Sequence, residues 1–317
     1  MGEKPQAVRV AESPGSAATT ALFAVLAFVW GLNFIFVNVG LEYWPPLWLA
    51  LLRAAIGAAG SAVLFAFVRP GRSLDRRGRR DAFLLGLPNT AAFFALWITA
   101  AKSVLPGVTA VAVYTYPLWV ALLSAPVLGH RLSARQWVSV VVGFSGVVLV
   151  SQLEAKGGSM VPPVALAELL VAAVAWGIGT VTFQRRFHRE EMLEANVLQL
   201  CGGTVGLVLV TFLFEPSFPP TGPPVVWAAL LWLGLAGTAV AYSIWYYLLG
   251  RTRAATLSAY LFIVPVVALV VSAIVFDERL SVVQLVGVAL VLASIFGIAR
   301  APGASDPPRM PTGRTVD

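Results

Sequence analysis

The chain has little charge and very few cysteine and histidine residues. Charged residues make up 12% of its 317 residues, whereas a soluble domain carries about 25%. Its single cysteine, Cys201, excludes an internal disulfide framework and a thiolate metal cluster. Two histidines, His130 and His188, leave little for a metal site. We therefore expect no metal, no cofactor and no enzymatic activity.

Apolar residues dominate instead, and they occur in long runs. Hydrophobic residues make up 58% of the chain, which is more than one soluble core of this size buries. The runs are about twenty residues long, the length at which a helix crosses a bilayer. A helix also satisfies its own backbone hydrogen bonds, which lipid cannot do. The sequence therefore predicts an all-α integral membrane protein surrounded by the lipid bilayer.

Ten transmembrane helices are predicted between the charged and Pro/Gly-rich breaks. Their approximate bounds are 19–39, 46–68, 81–101, 105–128, 134–152, 164–184, 194–214, 224–249, 254–276 and 280–300. They follow an N-terminal tail, 1–18, that lacks the features of a signal peptide. The C-terminal tail, 301–317, is rich in Pro and Gly and is predicted to be disordered.

Positive charge orients the predicted helices. With the N-terminus in the cytoplasm, 18 Lys and Arg residues fall in cytoplasmic segments and three, Lys102, Lys156 and Arg279, fall outside. This asymmetry predicts a multi-pass protein of the cell membrane with both termini cytoplasmic. The basic run at 69–80 has two interpretations, a nucleic-acid patch or a cytoplasmic loop that sets topology. We favour the loop and expect no nucleic-acid partner.

The two halves of the chain repeat each other. At an offset of 148, Pro117–Ser139 and Pro265–Gly287 are identical at nine of 23 positions. The same offset aligns 84–97 with 232–245, and an offset of 146 aligns Trp30-Gly31 with Trp176-Gly177. The repeats are therefore 19–152 and 164–300, joined by an external linker, 153–163. Because each has five helices, the second crosses in the opposite sense, and inverted repeats are typical of secondary transporters.

Within the repeat, "RLSxxQ" occurs twice, with Ser133 and Gln136 in the first copy and Ser281 and Gln284 in the second. This spacing is typical of a capping box, in which Ser and Gln bond reciprocally to the backbone at a helix start. A substrate site is the alternative interpretation. We favour a helix-start device at the predicted helices 5 and 10.

Several segments resemble a known family. "YTYPLWVALLSAPVLGHRLS" (114–133) and "VPVVALVVSAIVFDERLS" (264–281) are similar to the paired signatures of EamA-type transporters of the drug/metabolite transporter superfamily. "WGLNF", "LLRAAIGA" and "VQLVGVALVLASIFG" also fit, in the family's order. The resemblance implies a ten-helix exporter or exchanger of small metabolites. Helices 1–4 and 6–9 would line a central cavity, and helices 5 and 10 would be peripheral. His130 stands where the family usually has Glu.

Polar and aromatic side chains inside the spans are the candidate substrate contacts, because lipid offers them no partner. Asn89, Phe93 and Trp97 recur every four residues, and Tyr114 and Tyr116 precede Pro117. Ordinary packing is the alternative for any one aromatic. As a set they predict an aromatic-walled cavity for a neutral or amphipathic solute. The predicted substrate-binding residues are Trp30, Asn33, Asn89, Phe93, Tyr114, Trp176, Thr180, Tyr242, Tyr246 and Tyr260.

A second group is predicted to act in gating or coupling. Arg53 lies inside the second span, where an ion pair with Glu42 or Glu168 competes with an anion-sensing or gating role. Gln199 aligns with Arg53 at the offset of 146. Prolines inside spans tolerate kinks that suit moving helices. The predicted gating or coupling residues are Arg53, Glu168, Gln199, Pro117 and Pro265.

The function predicted from these features is secondary transport of small metabolites, such as amino acids or amphipathic drug-like solutes, by alternating access. No GxxxxGK[ST] signature is present, so the driving force is a solute gradient or a coupled ion. Facilitated diffusion and proton antiport both remain open. A lipid scramblase or flippase is the alternative, and an intramembrane enzyme a remote third. Small residues spaced by four on helices 5 and 10 fit close packing or a homodimer contact.

Overall fold

Every regular element in the described part of the chain is a helix. The structure, a computed structural model, describes residues 17–68, 73–128, 133–150, 161–217, 221–252, 254, 257–258, 261, 263–276 and 281–299. Joining the helical pieces that run on without a break of more than two residues gives ten helices in these ranges. They are α1 (Ala17–Leu41), α2 (Pro46–Val68), α3 (Arg76–Ala100), α4 (Pro106–Leu128), α5 (Ala134–Val150), α6 (Pro163–Arg186), α7 (Met192–Phe214), α8 (Pro224–Leu249), α9 (Ile263–Phe276) and α10 (Val282–Ala299).

Seven of the described helices, α1 to α4 and α6 to α8, are long and apolar enough to cross a membrane. Large apolar side chains on their outer faces are exposed, such as Phe67 at 83% and Leu213 at 73%. Lipid tails are the solvent that such faces require. The fold is therefore that of a multi-pass helical membrane protein.

One predicted helix start differs from the described structure by more than two residues. Helix α3 begins at Arg76 rather than at 81. Asp75 caps it, because its Oδ1 atom accepts a hydrogen bond from the Gly78 N–H at 2.6 Å. The arginines of the first turns carry the charge that favours a loop in the sequence, so the sequence predicts a later start. The predicted start of the ninth span, at 254, falls among residues that lie partly outside the described ranges, and α9 is described from Ile263.

The predicted capping box of the first repeat is confirmed. The Ser133 N–H donates to Gln136 Oε1 at 2.9 Å, and the Gln136 N–H donates to Ser133 Oγ at 3.3 Å. The two bonds satisfy backbone donors at the start of α5. The side chain of Gln284, in the second copy, lies outside the described residues.

The helix contacts follow the sequence repeat. Helix α2 packs against α8, where a Cβ added at Gly57 would contact Thr238. Helix α7 packs against α3, where a Cβ added at Gly203 would contact Thr90. Gly57 and Gly203 are related by the repeat offset of 146, and Thr90 and Thr238 by the offset of 148. The two halves therefore use equivalent surfaces to hold each other.

Glycines also bring α5 and α10 together. A Cβ at Gly143 would meet Ser294, and one at Gly297 would meet Ser139. The small-residue stripes of these helices thus pack within one chain, as the close-packing interpretation expects.

A π-helical segment interrupts α3 and α8 at equivalent places. It covers Leu87–Ala92 in α3 and Trp232–Val240 in α8. Such segments leave backbone groups away from regular pairing and often occur at functional sites. Helix α4 is also interrupted, at Tyr114 and Thr115, immediately before Pro117. These irregular segments bring polar groups to the middle of the helix bundle.

We name the two ends of the bundle by their charge. At the basic end, where α3 begins and α6 ends, Arg186 bonds to Asp81 and Arg79 Nε to Glu194 Oε1 at 2.9 Å. At the opposite end, Glu215 Oε2 accepts from the Leu47 N–H at 3.0 Å. Both ends are thus held by polar contacts between the two repeats.

Candidate functional site: a buried aromatic cavity between the repeats

A cavity lies in the interior between the two repeats. About 410 Å³ of the space in and around it is free of protein atoms, and this volume includes space open to solvent. Helices α1 to α4 of the first repeat and α6 and α8 of the second contribute its walls. Its lining residues are Trp30, Asn33, Phe34, Arg53, Phe93, Trp97, Val113, Tyr114, Tyr116, Trp176 and Tyr242.

Aromatic rings in mutual contact form most of the cavity wall. Trp176 is central, with ring centroids 4.9 Å from Phe93, 5.2 Å from Tyr242 and 6.0 Å from Trp30. On the other side, Phe34 lies 5.2 Å from Trp97. These distances are typical of edge-to-face and tilted aromatic pairs, which fix ring orientation. The wall is therefore a rigid, largely apolar surface.

Helix α1 is anchored to the π-helical segment of α8. The Trp30 Nε1 group and the Asn33 Nδ2 group both donate to the Gly237 carbonyl, at 3.2 and 3.4 Å. A Cβ at Gly237 would contact the Asn33 side chain, so glycine permits this approach. The contact fixes two predicted substrate residues at the cavity.

Arg53 brings the one formal charge among the lining residues. Its side chain is buried, with the residue only 2% exposed. Its Nε group donates to Thr238 Oγ1 at 3.1 Å, and its Cζ atom lies 4.2 Å from the Phe94 ring centroid. Within the described residues its Nη1 atom has no hydrogen-bond partner. The cavity thus contains a positive charge that is not neutralised.

The ion pair considered for Arg53 does not form in the structure. Glu42 is exposed and Glu168 is only partly buried. Among the ion pairs of the described residues, neither carboxylate contacts Arg53. Arg53 instead turns inward onto Thr238 and Phe94, because the π-helical turn of α8 brings Thr238 within reach.

A neutral polar network occupies the equivalent position in the second repeat. Gln199 Oε1 accepts from Thr90 Oγ1 at 2.7 Å and from Asn89 Nδ2 at 3.2 Å. Asn89 Nδ2 also donates to the Tyr246 hydroxyl at 2.6 Å, and Gln199 Nε2 donates to Asn196 Oδ1 at 3.2 Å. Gln199 thus bonds through both ends of its amide and needs no ligand.

The structure brings six of the ten predicted substrate residues into the cavity lining: Trp30, Asn33, Phe93, Tyr114, Trp176 and Tyr242. Asn89 and Tyr246 belong to the neutral network, and Thr180 is buried outside the lining. Tyr260 lies outside the described residues. Of the predicted gating residues, Arg53 lines the cavity, whereas Gln199, Pro117, Pro265 and Glu168 do not.

Sequence reasoning missed some of the wall. Trp97 and Tyr116 belong to the aromatic patterns noted above but are not among the predicted substrate-binding residues. Phe34 and Val113 are not among them either. Phe34 follows Trp30 by four residues, so helical spacing places both on one face. That signal could have found it. No comparable signal marks Val113, an apolar residue beside the interruption of α4.

Apolar spans in two equivalent halves, with an aromatic-lined cavity between them, are the features of a membrane transporter. The chain belongs to the EamA-like transporter family, which matches residues 18–152 and 164–300, one match in each repeat. This confirms the resemblance seen in the paired motifs.

Curated relatives cover nearly the same length. The chain is 26% identical over 273 residues to "Uncharacterized transporter YoaV" of Bacillus subtilis, covering 86% of this chain and 93% of that one. It is 26% identical to "Probable amino-acid metabolite efflux pump" of Escherichia coli, covering 87% and 92%. "Uncharacterized inner membrane transporter YedA" of Escherichia coli is also 26% identical, covering 87% and 88%.

A solved structure supports the fold. A chain titled "Crystal structure of protein" superposes with a TM-score of 0.67 at 20% identity, covering 90% of this chain and 97% of that one. At this identity the likeness concerns the fold alone.

Proposed function

We propose that this protein is a secondary transporter that exports or exchanges small amphipathic solutes such as amino acids. Ten helices would cross the membrane as two inverted five-helix repeats, with both termini cytoplasmic. The repeats would rock against each other so that the cavity opens to one side at a time. The solute would bind between the aromatic walls.

The cavity between the repeats is the observation that carries this proposal. It lies where alternating-access transporters hold their substrate, at the interface of their repeats. Its walls are large aromatic rings with a few polar groups, a composition typical of small-molecule sites. The name of the Escherichia coli efflux-pump relative supports amino acids as the solute class.

We also propose that transport needs no imposed proton gradient. The residues that line the cavity in the described part of the chain include no carboxylate and no histidine. A proton-coupled site needs a group that changes charge between the two access states. The solute gradient itself would therefore drive net flux.

Purified protein in liposomes tests the proposal. We expect vesicles loaded with unlabelled phenylalanine or leucine to take up the labelled amino acid by counterflow, with and without a pH gradient. Triple substitution of Trp30, Trp176 and Tyr242 by alanine would abolish that flux. Uptake that requires a pH gradient would contradict facilitated exchange. Movement of labelled lipid with no solute flux across a broad panel would replace the proposal with a scramblase.

A further inference from the structure

We propose that Arg53 binds a carboxylate of the transported solute, so that the cavity selects small apolar acids and amino acids over their amides and over aromatic cations. That the solute is transported rests on the proposed function, but its binding to Arg53 does not depend on flux. The inference assigns a role to the Arg53 charge, which no carboxylate among the described lining residues neutralises.

The guanidinium group is held rigidly from two sides. Thr238 Oγ1 accepts from Arg53 Nε at 3.1 Å, while the Thr238 hydroxyl donates to the Leu233 carbonyl at 2.8 Å. The Phe94 ring lies 4.2 Å from Arg53 Cζ, and the Trp97 ring 5.5 Å from it. Cation–π contacts of this length stabilise a guanidinium without neutralising it. These contacts orient the group and leave its charge available.

One terminal nitrogen of the guanidinium group has no hydrogen-bond partner within the described residues. Arg53 Nη1 is buried without a hydrogen bond, and no carboxylate lies among the described cavity-lining residues. A buried charge of this kind is costly unless an opposite charge pairs with it. Since α2 is apolar on both sides of Arg53, a bound anion is the partner that would offset this cost.

The groups around Arg53 favour an acceptor-rich ligand. The indole Nε1 groups of Trp97 and Trp176 are also buried without partners in the described chain. Both are donors only. The unpartnered hydroxyls of Tyr116 and Tyr242 can donate or accept, and Asn33 Oδ1 is the unpartnered group of the described lining residues that can only accept. Groups that can only donate therefore outnumber the group that can only accept, so the cavity matches a carboxylate head more closely than an ammonium group alone.

The rest of the cavity determines which ligand body fits beside the carboxylate. Phe93, Trp176 and Tyr242 form a wall of aromatic rings in mutual contact. A solute that fills both regions has one carboxylate and an apolar or aromatic body. A cationic aromatic solute would place its positive charge beside Arg53, where repulsion in a poorly hydrated site is strong.

Calorimetric titration of detergent-purified protein with matched probes tests the proposal. The probes are phenylalanine, 3-phenylpropanoate and phenylalaninamide, which vary the carboxylate and the amine separately. We expect both acids to bind more tightly than the amide. Arg53→Gln should weaken the two acids roughly 10- to 100-fold, the change expected from losing a charge-assisted hydrogen bond. It should not weaken the amide, whose ammonium group is repelled by Arg53, and should tighten its binding.

A matched control removes one arginine charge elsewhere. Arg185→Gln lies at the exposed basic end of α6, outside the cavity. It should bind all three probes as the unmodified protein does. Arg53→Lys keeps the charge and should recover part of the preference for acids. Amide binding that is retained or tightened also shows that Arg53→Gln is folded, and thermal unfolding of each variant provides a second check.

Other outcomes separate this inference from the transport proposal. Equal weakening of acids and amide in Arg53→Gln, or no weakening of either, would overturn the role of Arg53. Counterflow of phenylalanine that Arg53→Gln does not slow would overturn it as well and leave the transport proposal standing. Arg53-dependent binding of acids without flux would support this inference while contradicting transport.

Discussion

The positions of Arg53 and Gln199 are related by the repeat, yet the structure treats them in opposite ways. Each lies on a helix that packs against a π-helical segment of the other half, and each contacts the threonine of that segment, Thr238 or Thr90. Gln199 is bonded through both ends of its amide, whereas Arg53 Nη1 has no partner among the described residues. Duplication has kept the scaffold and changed what occupies it.

The difference separates stability from function. The neutral network fixes two helices at a modest net gain, because both ends of the Gln199 amide have partners, although Asn89 Oδ1 and Asn196 Nδ2 have none among the described residues. An unpaired buried charge lowers stability and is retained where a ligand uses it. The Gln199 side therefore stabilises the bundle, and the Arg53 side is the binding site that we propose. The following substitutions compare equivalent positions of the two halves or the two ends.

The largest expected effect lies at Gly86, which aligns with Gly234 at the offset of 148. A Cβ at Gly86 would meet the backbone of Gln199 and Gly202, whereas one at Gly234 would first meet the Ile56 side chain. Backbone cannot move aside, so Gly86→Ala should cost more than about 3 kcal/mol and Gly234→Ala about 1–2 kcal/mol. SDS titration of both variants measures the difference. Equal costs would show that the two interfaces are not distinguished in this way.

Gln199→Leu should cost about 2–3 kcal/mol, because it leaves Thr90 and Asn89 with fewer partners in a buried site. Arg53→Met should change stability by less than about 1 kcal/mol, since it replaces a side chain with a buried unpaired charge by an uncharged side chain of similar volume. Unfolding curves of both variants test the contrast. If Arg53→Met is strongly destabilised, Arg53 has a structural role. The probe titrations should then show equal weakening of the acids and the amide.

At the opposite end of the bundle, Glu215 caps α2 by accepting from the Leu47 and Trp48 N–H groups at 3.0 and 3.3 Å. Glu215→Ala should cost about 1–2 kcal/mol, as for a lost cap, and Glu215→Gln less, because the amide oxygen still accepts. Thermal unfolding at neutral pH would measure both. An alanine variant as stable as the glutamine variant would show that the cap contributes nothing.

The same carboxyl should give a pH signature. Burial raises the pKa of Glu215 above its ordinary value, although the two backbone N–H donors and Lys102 act in the other direction. The folded state then binds the proton more tightly than the unfolded state, so this group's contribution to stability falls as the pH rises through the raised pKa. Relative to Glu215→Gln, the unmodified protein should therefore gain stability on acidification in that window. Parallel pH profiles would contradict this.

The smallest effect is expected at the basic end. Asp81 accepts from Arg186, but both side chains are partly exposed, at 22% and 36%. Exposed ion pairs contribute little, so Asp81→Asn should cost under about 1 kcal/mol, and less in high salt. Arg80→Gln, whose arginine side chain is 73% exposed, is the matched control with no measurable effect. A large loss for Asp81→Asn would show that the basic end is held more tightly than its exposure suggests.

The sequence was informative wherever apolar length or spacing decides structure. The bounds of α2 and α8 matched the prediction, and the Ser133 capping box followed from four letters. The partner of Arg53 could not be predicted, because an extra residue in the turn of α8 moves Thr238 out of ordinary helical register. The predicted start of α3 was also wrong, because the density of charge favours a loop where Asp75 caps a helix that begins with arginines.

The most direct test of the account is thiol accessibility of the cavity from each side of the membrane. With Cys201→Ala as background, Val113→Cys places a thiol on the cavity wall, at a residue that is 2% exposed. Val205→Cys, on a face of α7 that is 50% exposed, is the control toward lipid. An impermeant anionic methanethiosulfonate should label Val113→Cys from either side of sealed vesicles and be slowed by phenylalanine. Labelling from one side only, with phenylalanine present or absent, would contradict alternating access.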